Sequence, residues 1–299
     1  MNGAPATIAP GRSTIAGFLD FAETCVTRAC ATDGDAWFRR AIGDVGAEAD
    51  DGRVAATIAI APRRLGKADL VLTDDELART RALRPGLDLT GWSMDQLARV
   101  AIMLAAYGSD GARFAQALDA FCTTADISEL IALYRGFPLY PAPLLLERRA
   151  REAVRSGVKP VFEAVAHRNP YPAEVFDEDA WNQMILKALF IESRLWPIER
   201  LEERANPRLA RMLVDYARER WAAHRPVSPE LWRCVALHAD EDGIEAMARA
   251  MAAGDEGERL AIALALKRDA RRAPLSFDEE LIALRDRIDT ERLDWRALA

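Results

Sequence analysis

The chain holds three histidines, His167, His224 and His238, scattered so that no two stand at helical spacing. Without a His pair the usual entry to a zinc or proton-relay site is missing, and all three are read as capping or surface residues. The four cysteines, Cys25, Cys30, Cys122 and Cys234, form no Cys-x-x-Cys. They read as small buried hydrophobes, as in a reducing cytosol. No Gly-x-Ser-x-Gly elbow, glycine-rich phosphate loop or His-Glu-x-x-His occurs, and these are the spacings that nucleophilic, phosphate and metalloprotease chemistry require. The acidic clusters Asp74-Asp75-Glu76 and Asp240-Glu241-Asp242 fall where helices should start, and carboxylates there complement the helix dipole. No catalytic residue, metal site or cofactor is expected.

Residues 163–233 differ in texture. Four of the seven tryptophans, Trp181, Trp196, Trp221 and Trp232, fall within them. A helix over residues 179–191 is apolar around most of its circumference and should be buried centrally. Asp179, Gln183 and Lys187 form one polar stripe on it, with Asn182 beside them. The stripe is either a solvated ladder, worth a few tenths of a kcal/mol per pair, or the polar wall of a groove floored by aromatic rings. The segment His-Arg-Asn-Pro-Tyr-Pro at 167–172 is stiffened by its prolines. It either separates helix pairs or presents side chains to a ligand. The candidate ligand or partner surface is therefore His167, Arg168, Asn169, Tyr171, Trp181, Asn182, Gln183, Lys187, Arg204 and Trp221. For Arg208, Arg211, Asp215, Arg218 and Glu219, ion pairs within one solvated helix suffice.

These residues must be carried by helices. With 299 residues, half of them hydrophobic and 29% charged, the chain is neither disordered nor a disulfide-stapled miniprotein. A net charge of −7 argues against a general nucleic-acid or anionic-membrane binder. Helix starts recur at Thr73-x-x-Glu76, Ser93-x-x-Gln96, Asp126-x-x-Glu129 and Ser276-x-x-Glu279, and at Asn206-Pro207 and Ser228-Pro229. Residues 54–60, the one strand-like run, are alanine-rich and read as helix or turn. Leu97, Val100, Ala101, Leu104 and Ala105 share a face, as do Phe114, Leu118, Phe121 and Cys122.

The expected architecture is all-α, with antiparallel helix pairs stacked as a degenerate HEAT-like solenoid in a single domain. Residues 1–90 form its N-terminal helical part and 91–299 its core. The pairs would be 93–107 with 112–124, 128–135 with 143–155, and 239–251 with 258–268. No signal peptide is visible and no apolar run approaches about 20 residues, so a cytoplasmic location without membrane insertion is expected.

Residues 167–191 (HRNPYPAEVFDEDAWNQMILKALFI), 204–233 (RANPRLARMLVDYARERWAAHRPVSPELWR) and the run Ala-Leu-Tyr-Arg-Gly-Phe-Pro-Leu at 132–139 resemble the EboA family. Residues 114–233 carry the likeness most clearly. The linker at 192–203 departs from the family pattern. The resemblance implies a bacterial gene cluster serving traffic of secondary metabolites toward the periplasm. Its other members include a UbiA-type membrane prenyltransferase, a TatD-like hydrolase, a sugar-phosphate-isomerase-like protein and a dehydroquinate-synthase-like protein. It transfers no catalytic residue. The expected role is a non-catalytic accessory that binds a small metabolite or docks partner proteins of that cluster. The alternative is a helical enzyme acting on a prenylated or other metabolite intermediate, for which the chain lacks an Asp-Asp-x-x-Asp magnesium motif.

Overall fold

The computed structural model describes residues 10–30, 32–267 and 278–298. The chain divides into two compact units, Met1–Asp177 and Glu178–Ala299. Among the described residues every regular element is helical, and a lone antiparallel bridge between Asp69 and Ser93 is the only β pairing. None of the helices is long and apolar enough to cross a membrane.

The first unit contains α1 (Arg12–Ala29), α2 (Thr32–Ala47), α3 (Asp51–Leu65), α4 (Asp74–Leu83), α5 (Met94–Tyr107), α6 (Gly111–Thr124), α7 (Ile127–Arg135), α8 (Glu147–Val154), α9 (Lys159–Ala166) and α10 (Tyr171–Val175). Its centre is α5, which packs against α1, α2, α3, α6 and α7. Burial extends well beyond the single face expected, because the sequence from Leu97 to Leu104 is apolar on every side except Arg99. That buried guanidinium is answered locally, by Asp95 at 3.4 Å, the Ile58 carbonyl at 3.2 Å and the Ser128 hydroxyl at 3.3 Å. Residues 54–60 lie inside α3, whose first turn is capped by Asp50 accepting from the Arg53 N–H at 2.8 Å.

Helix starts follow the local chemistry. Thr73 with Glu76, and Asp126 with Glu129, form reciprocal capping boxes. At Ser93 the Gln96 side chain accepts from the Ser93 N–H at 3.2 Å, while the Ser93 hydroxyl donates to Asp95 at 2.6 Å. Ser228-Pro229 opens a single 3-10 turn, Pro229–Leu231, without a side-chain cap. The pattern at Ser276 lies outside the described residues. Helix pairing departs from expectation in one place. Residues 143–155 comprise a 3-10 turn, Pro143–Leu146, followed by α8, and α8 packs chiefly on α9; α7 packs on α5 and α9 instead.

The second unit contains α11 (Glu178–Phe190), α12 (Leu201–Arg204), α13 (Pro207–Ala222), α14 (Trp232–Val235), α15 (Glu241–Ala253), α16 (Glu256–Leu266), α17 (Asp278–Glu291) and α18 (Trp295–Leu298). Here α16 is the most enclosed, packed on α14, α15, α17 and α18. It pairs with α15 across Gly254 and Asp255, and Asp255 caps it by accepting from the Glu258 N–H at 2.8 Å. Helix α11, expected at the centre, buries one face only: Trp181, Met184, Ile185, Ala188 and Leu189 are inside, whereas Phe190 is 60% exposed.

Candidate functional site

In the first unit the 167–172 loop is locked by its own polar side chains. Asn169 is buried, and its amide nitrogen donates to the Tyr134 carbonyl at 3.3 Å and the Ala164 carbonyl at 3.2 Å. Its oxygen accepts from the Tyr171 N–H at 3.0 Å. Tyr171, also buried, donates its hydroxyl to the Pro143 carbonyl at 2.6 Å and stacks on Phe137 with ring centroids 4.9 Å apart. Burial pushes the Tyr171 phenol well above its ordinary pKa. These two residues are spent on holding the loop against α7 and α9.

That anchoring places the preceding residues at a cavity. A recess of about 150 Å³ is lined by Asp88, Thr90, Trp92, Arg135, Glu163, Ala164, His167 and Arg168. Arg168 adopts a left-handed backbone, φ 48°, which costs an L-residue roughly 1–2 kcal/mol. Its Nε lies 3.3 Å from Asp88. Arg135, from the last turn of α7, donates to Gln96 Oε1 at 2.6 Å and to the Gly91 carbonyl. Burial, and then the neighbouring Arg168 charge, lower the Arg135 pKa. Glu163 stands one helical turn before His167, a carboxylate at helical spacing that the sequence reading passes over.

In the second unit Trp181, Asn182 and Arg204 meet close to the start of α13. Trp181 is fully buried and the Arg204 guanidinium lies over its ring, 4.9 Å from the centroid. Asn182 does not join the exposed stripe: it is buried and exchanges amide hydrogen bonds with Asn206, at 3.2 and 2.9 Å. Asp179 pairs with Arg208 of α13, Gln183 is exposed, and Lys187 is half-buried. The α13 cations reach other helices instead of pairing along their own. Arg211 approaches Asp240 at 4.0 Å, and Arg218 reaches Asp242 at 2.9 Å. Asp240 and Asp242 cluster at the start of α15, so they attract cations from across the packing seam.

Trp221 lies at the opposite end of α13, in a separate cleft of about 360 Å³. Its ring stacks on the buried Trp232, centroids 6.2 Å apart, and the Arg249 guanidinium covers it at 4.5 Å. His224, Arg225, Pro226 and Val227 form one wall, and Ala250, Ala253, Gly254 and Glu258 the other. The wall turns sharply because His224 takes φ 53° and its N–H closes on the Trp221 carbonyl at 3.0 Å. Arg220 then pins the Pro226 carbonyl at 2.9 Å. Glu258 is 7% exposed, and burial together with nearby Asp255 raises its carboxyl pKa. The Trp232 indole N–H faces the same carboxyl and offsets part of that rise. The geometry falls short of a hydrogen bond, so Glu258 Oε1 and the indole N–H are both buried without a partner. Such groups are costly to bury unsatisfied. Sequence reasoning missed Arg249 and Glu258. The only available signal was that Glu258, at the third position of α16, is a helix-start carboxylate lying close to an aromatic-rich segment.

A third cleft of about 370 Å³, also in the second unit, is walled by Leu237, Leu264, Leu293 and Trp295, and its Arg233 is already engaged by Glu202 at 2.7 Å. Among the described residues no three His, Cys, Asp or Glu side chains are grouped to hold a metal ion. All four cysteines are unbridged, and three of them are buried.

Helices throughout the described residues, with a small polar-lined recess in the first unit and a larger cleft beside Trp221 in the second, define an all-helical protein with built-in pockets. A family model described as metabolite traffic protein EboA matches residues 18–236, and the chain belongs to the EboA family. The match extends upstream of the motif-rich residues 114–233 and takes in most of the first unit. No curated protein and no solved structure matches the chain.

Proposed function

We propose that this chain is a non-catalytic accessory of metabolite traffic that holds a small amphipathic metabolite in the Trp221 cleft. One observation carries the reading. An aromatic platform covered by a guanidinium borders a buried carboxyl whose Oε1, like the neighbouring indole N–H, has no partner. Ligand sites combine apolar walls with a few convergent polar groups, and a volume of about 360 Å³ falls at the lower end of the roughly 300–1,000 Å³ such sites occupy. Trp232 and Arg249 already pack on the Trp221 ring, so an apolar ligand body would lie along the ring's edge and the Ala250 and Ala253 wall, and its polar end would meet Glu258. On this reading the protein works in the cytoplasm and passes its cargo to proteins of its gene cluster, including a membrane prenyltransferase. Its helix pairs, of which α15 with α16 is the clearest, are HEAT-like.

The test is native affinity purification from the source cells, with mass spectrometry of released small molecules. A molecule that co-purifies in stoichiometric amount, and is lost from a folded Trp221→Leu, Glu258→Gln double variant, supports the reading. Retention by the variant removes this cleft as its site. Recovery of partner proteins without any small molecule overturns the carrier role and makes the chain a docking scaffold.

A further inference from the structure

We propose that the recess in the first unit is a second, independent binding site, which takes a small oxyanion between Arg135 and Arg168: the phosphate or carboxylate group of a metabolite. The argument begins with Arg135. Its hydrogen bonds go to neutral oxygens, Gln96 Oε1 and the Gly91 carbonyl. Among the described residues no carboxylate reaches it within ion-pairing distance, and Glu163 acts on it only through the longer-range field. A partly buried guanidinium whose hydrogen bonds go only to neutral oxygens carries a desolvation cost, and a second guanidinium on the wall of the same recess adds to it. Both costs fall when an anion enters, because charge-assisted hydrogen bonds from two planar forks are among the strongest available to an oxyanion.

The fold maintains this juxtaposition against local preference. Arg168 is held in a left-handed conformation, while the next residue, Asn169, is bonded to the carbonyl of Tyr134, immediately before Arg135. One buried amide therefore fixes the distance between the two cationic residues. Asp88 holds the Nε edge of Arg168, Thr90 and His167 add polar groups to the wall, and the Glu163 carboxylate on that wall is approached by Lys159 at 4.0 Å. Capacity limits the ligand. About 150 Å³ is too small for a whole metabolite on the scale of ordinary ligand pockets, so the recess suits a headgroup whose remainder stays outside.

Titration calorimetry of the full chain with inorganic phosphate, and separately with acetate, at matched ionic strength, tests this. Saturable binding of one oxyanion per chain is expected, weakened at least tenfold in Arg135→Gln and in Arg168→Asn. The asparagine is chosen because it tolerates the left-handed backbone. Trp221→Leu should bind the oxyanion as the parent does, so failure here is separable from failure of the Trp221 cleft. Phosphate binding without acetate binding assigns a phosphorylated ligand, and the converse a carboxylate. Should Arg135→Gln lose its circular dichroism, Arg168→Asn alone decides. No saturable heat with either anion, or undiminished binding by folded variants, overturns the proposal.

Discussion

Asn182 and Asn206 exchange side-chain amide hydrogen bonds at 3.2 and 2.9 Å, while Asn206 Oδ1 also caps α13 by accepting the Leu209 N–H at 2.8 Å. One carboxamide thus starts a helix and fastens it to its neighbour. The arrangement explains why a polar residue sits on the buried face of α11: its amide is satisfied there, so burial carries little penalty.

Removing either partner leaves the other amide short of a bond. Asn182→Ala should lower stability by about 1–3 kcal/mol, and Asn206→Ala by at least the ~1 kcal/mol of a lost cap. Because the two share bonds, the double variant should fall short of the sum by at least about 0.5 kcal/mol. Urea denaturation of the four proteins measures this. Strict additivity would show that the pair is not coupled.

Arg84 and Glu174 form an ion pair in which only 4% and 11% of the side chains are exposed, and Arg84 Nε also donates to the Pro138 carbonyl at 3.0 Å. Cutting the cation back to methionine removes the guanidinium that both a part-buried carboxylate and a carbonyl use. Arg84→Met should cost about 3–5 kcal/mol. Glu174→Gln keeps a neutral acceptor but leaves the buried guanidinium without its counter-charge, so it too should lose stability. A neutral outcome for either variant in thermal unfolding would contradict this account.

Glu258 provides a pH test with a definite sign. Burial and Asp255 raise its carboxyl above the ordinary value of 4.5, so the folded state binds the proton more tightly than the unfolded chain. Its contribution is therefore fully present below the unfolded pKa and is lost as pH rises through the folded one. Glu258→Gln cannot ionise. The variant should match the parent in acid and become the more stable of the two near neutral pH. A variant that is less stable at neutral pH would mean that the carboxylate is held charged, and would reverse the reading of this cleft.

What the sequence made legible was local. Thr73 with Glu76, Asp126 with Glu129, and Asn206 before Pro207 each satisfy orphan helix donors within four residues, so pattern and structure coincide. The stiffness of 167–172 was equally readable from its prolines. Features set by a second helix were not. Which face of α11 is buried depends on α13, and Arg208 and Arg218 find partners across helices that no spacing along α13 could reveal. Glu258 occupies a position where carboxylates ordinarily serve a helix dipole, so only its burial distinguishes it. Within His-Arg-Asn-Pro-Tyr-Pro the residue types were apparent. Their division into cavity-facing His167 and Arg168 and loop-holding Asn169 and Tyr171 depended on carbonyls contributed by α7, α9 and the Pro143 turn.

Gly86 links this loop to the opposing wall of the recess. It adopts φ 78°, and a Cβ placed on it would lie 3.1 Å from Pro170 Cβ and 3.3 Å from Pro170 Cγ. A proline ring cannot swing aside, so Gly86→Ala meets both left-handed strain, about 1–2 kcal/mol, and a contact that pushes 84–91 away from 167–172. Gly66 separates the two effects. It has φ 80° and ψ 178°, a conformation nearly confined to glycine, and a methyl group added there would meet nothing within 4 Å, so Gly66→Ala bears backbone strain without a steric contact. Both variants should lose stability in urea. Only Gly86→Ala should also weaken phosphate or acetate binding, because Asp88 and Arg168 each lie two residues from the crowded contact and move with it. Equal oxyanion affinity in the two variants would show that the recess does not depend on the close approach of Gly86 to Pro170.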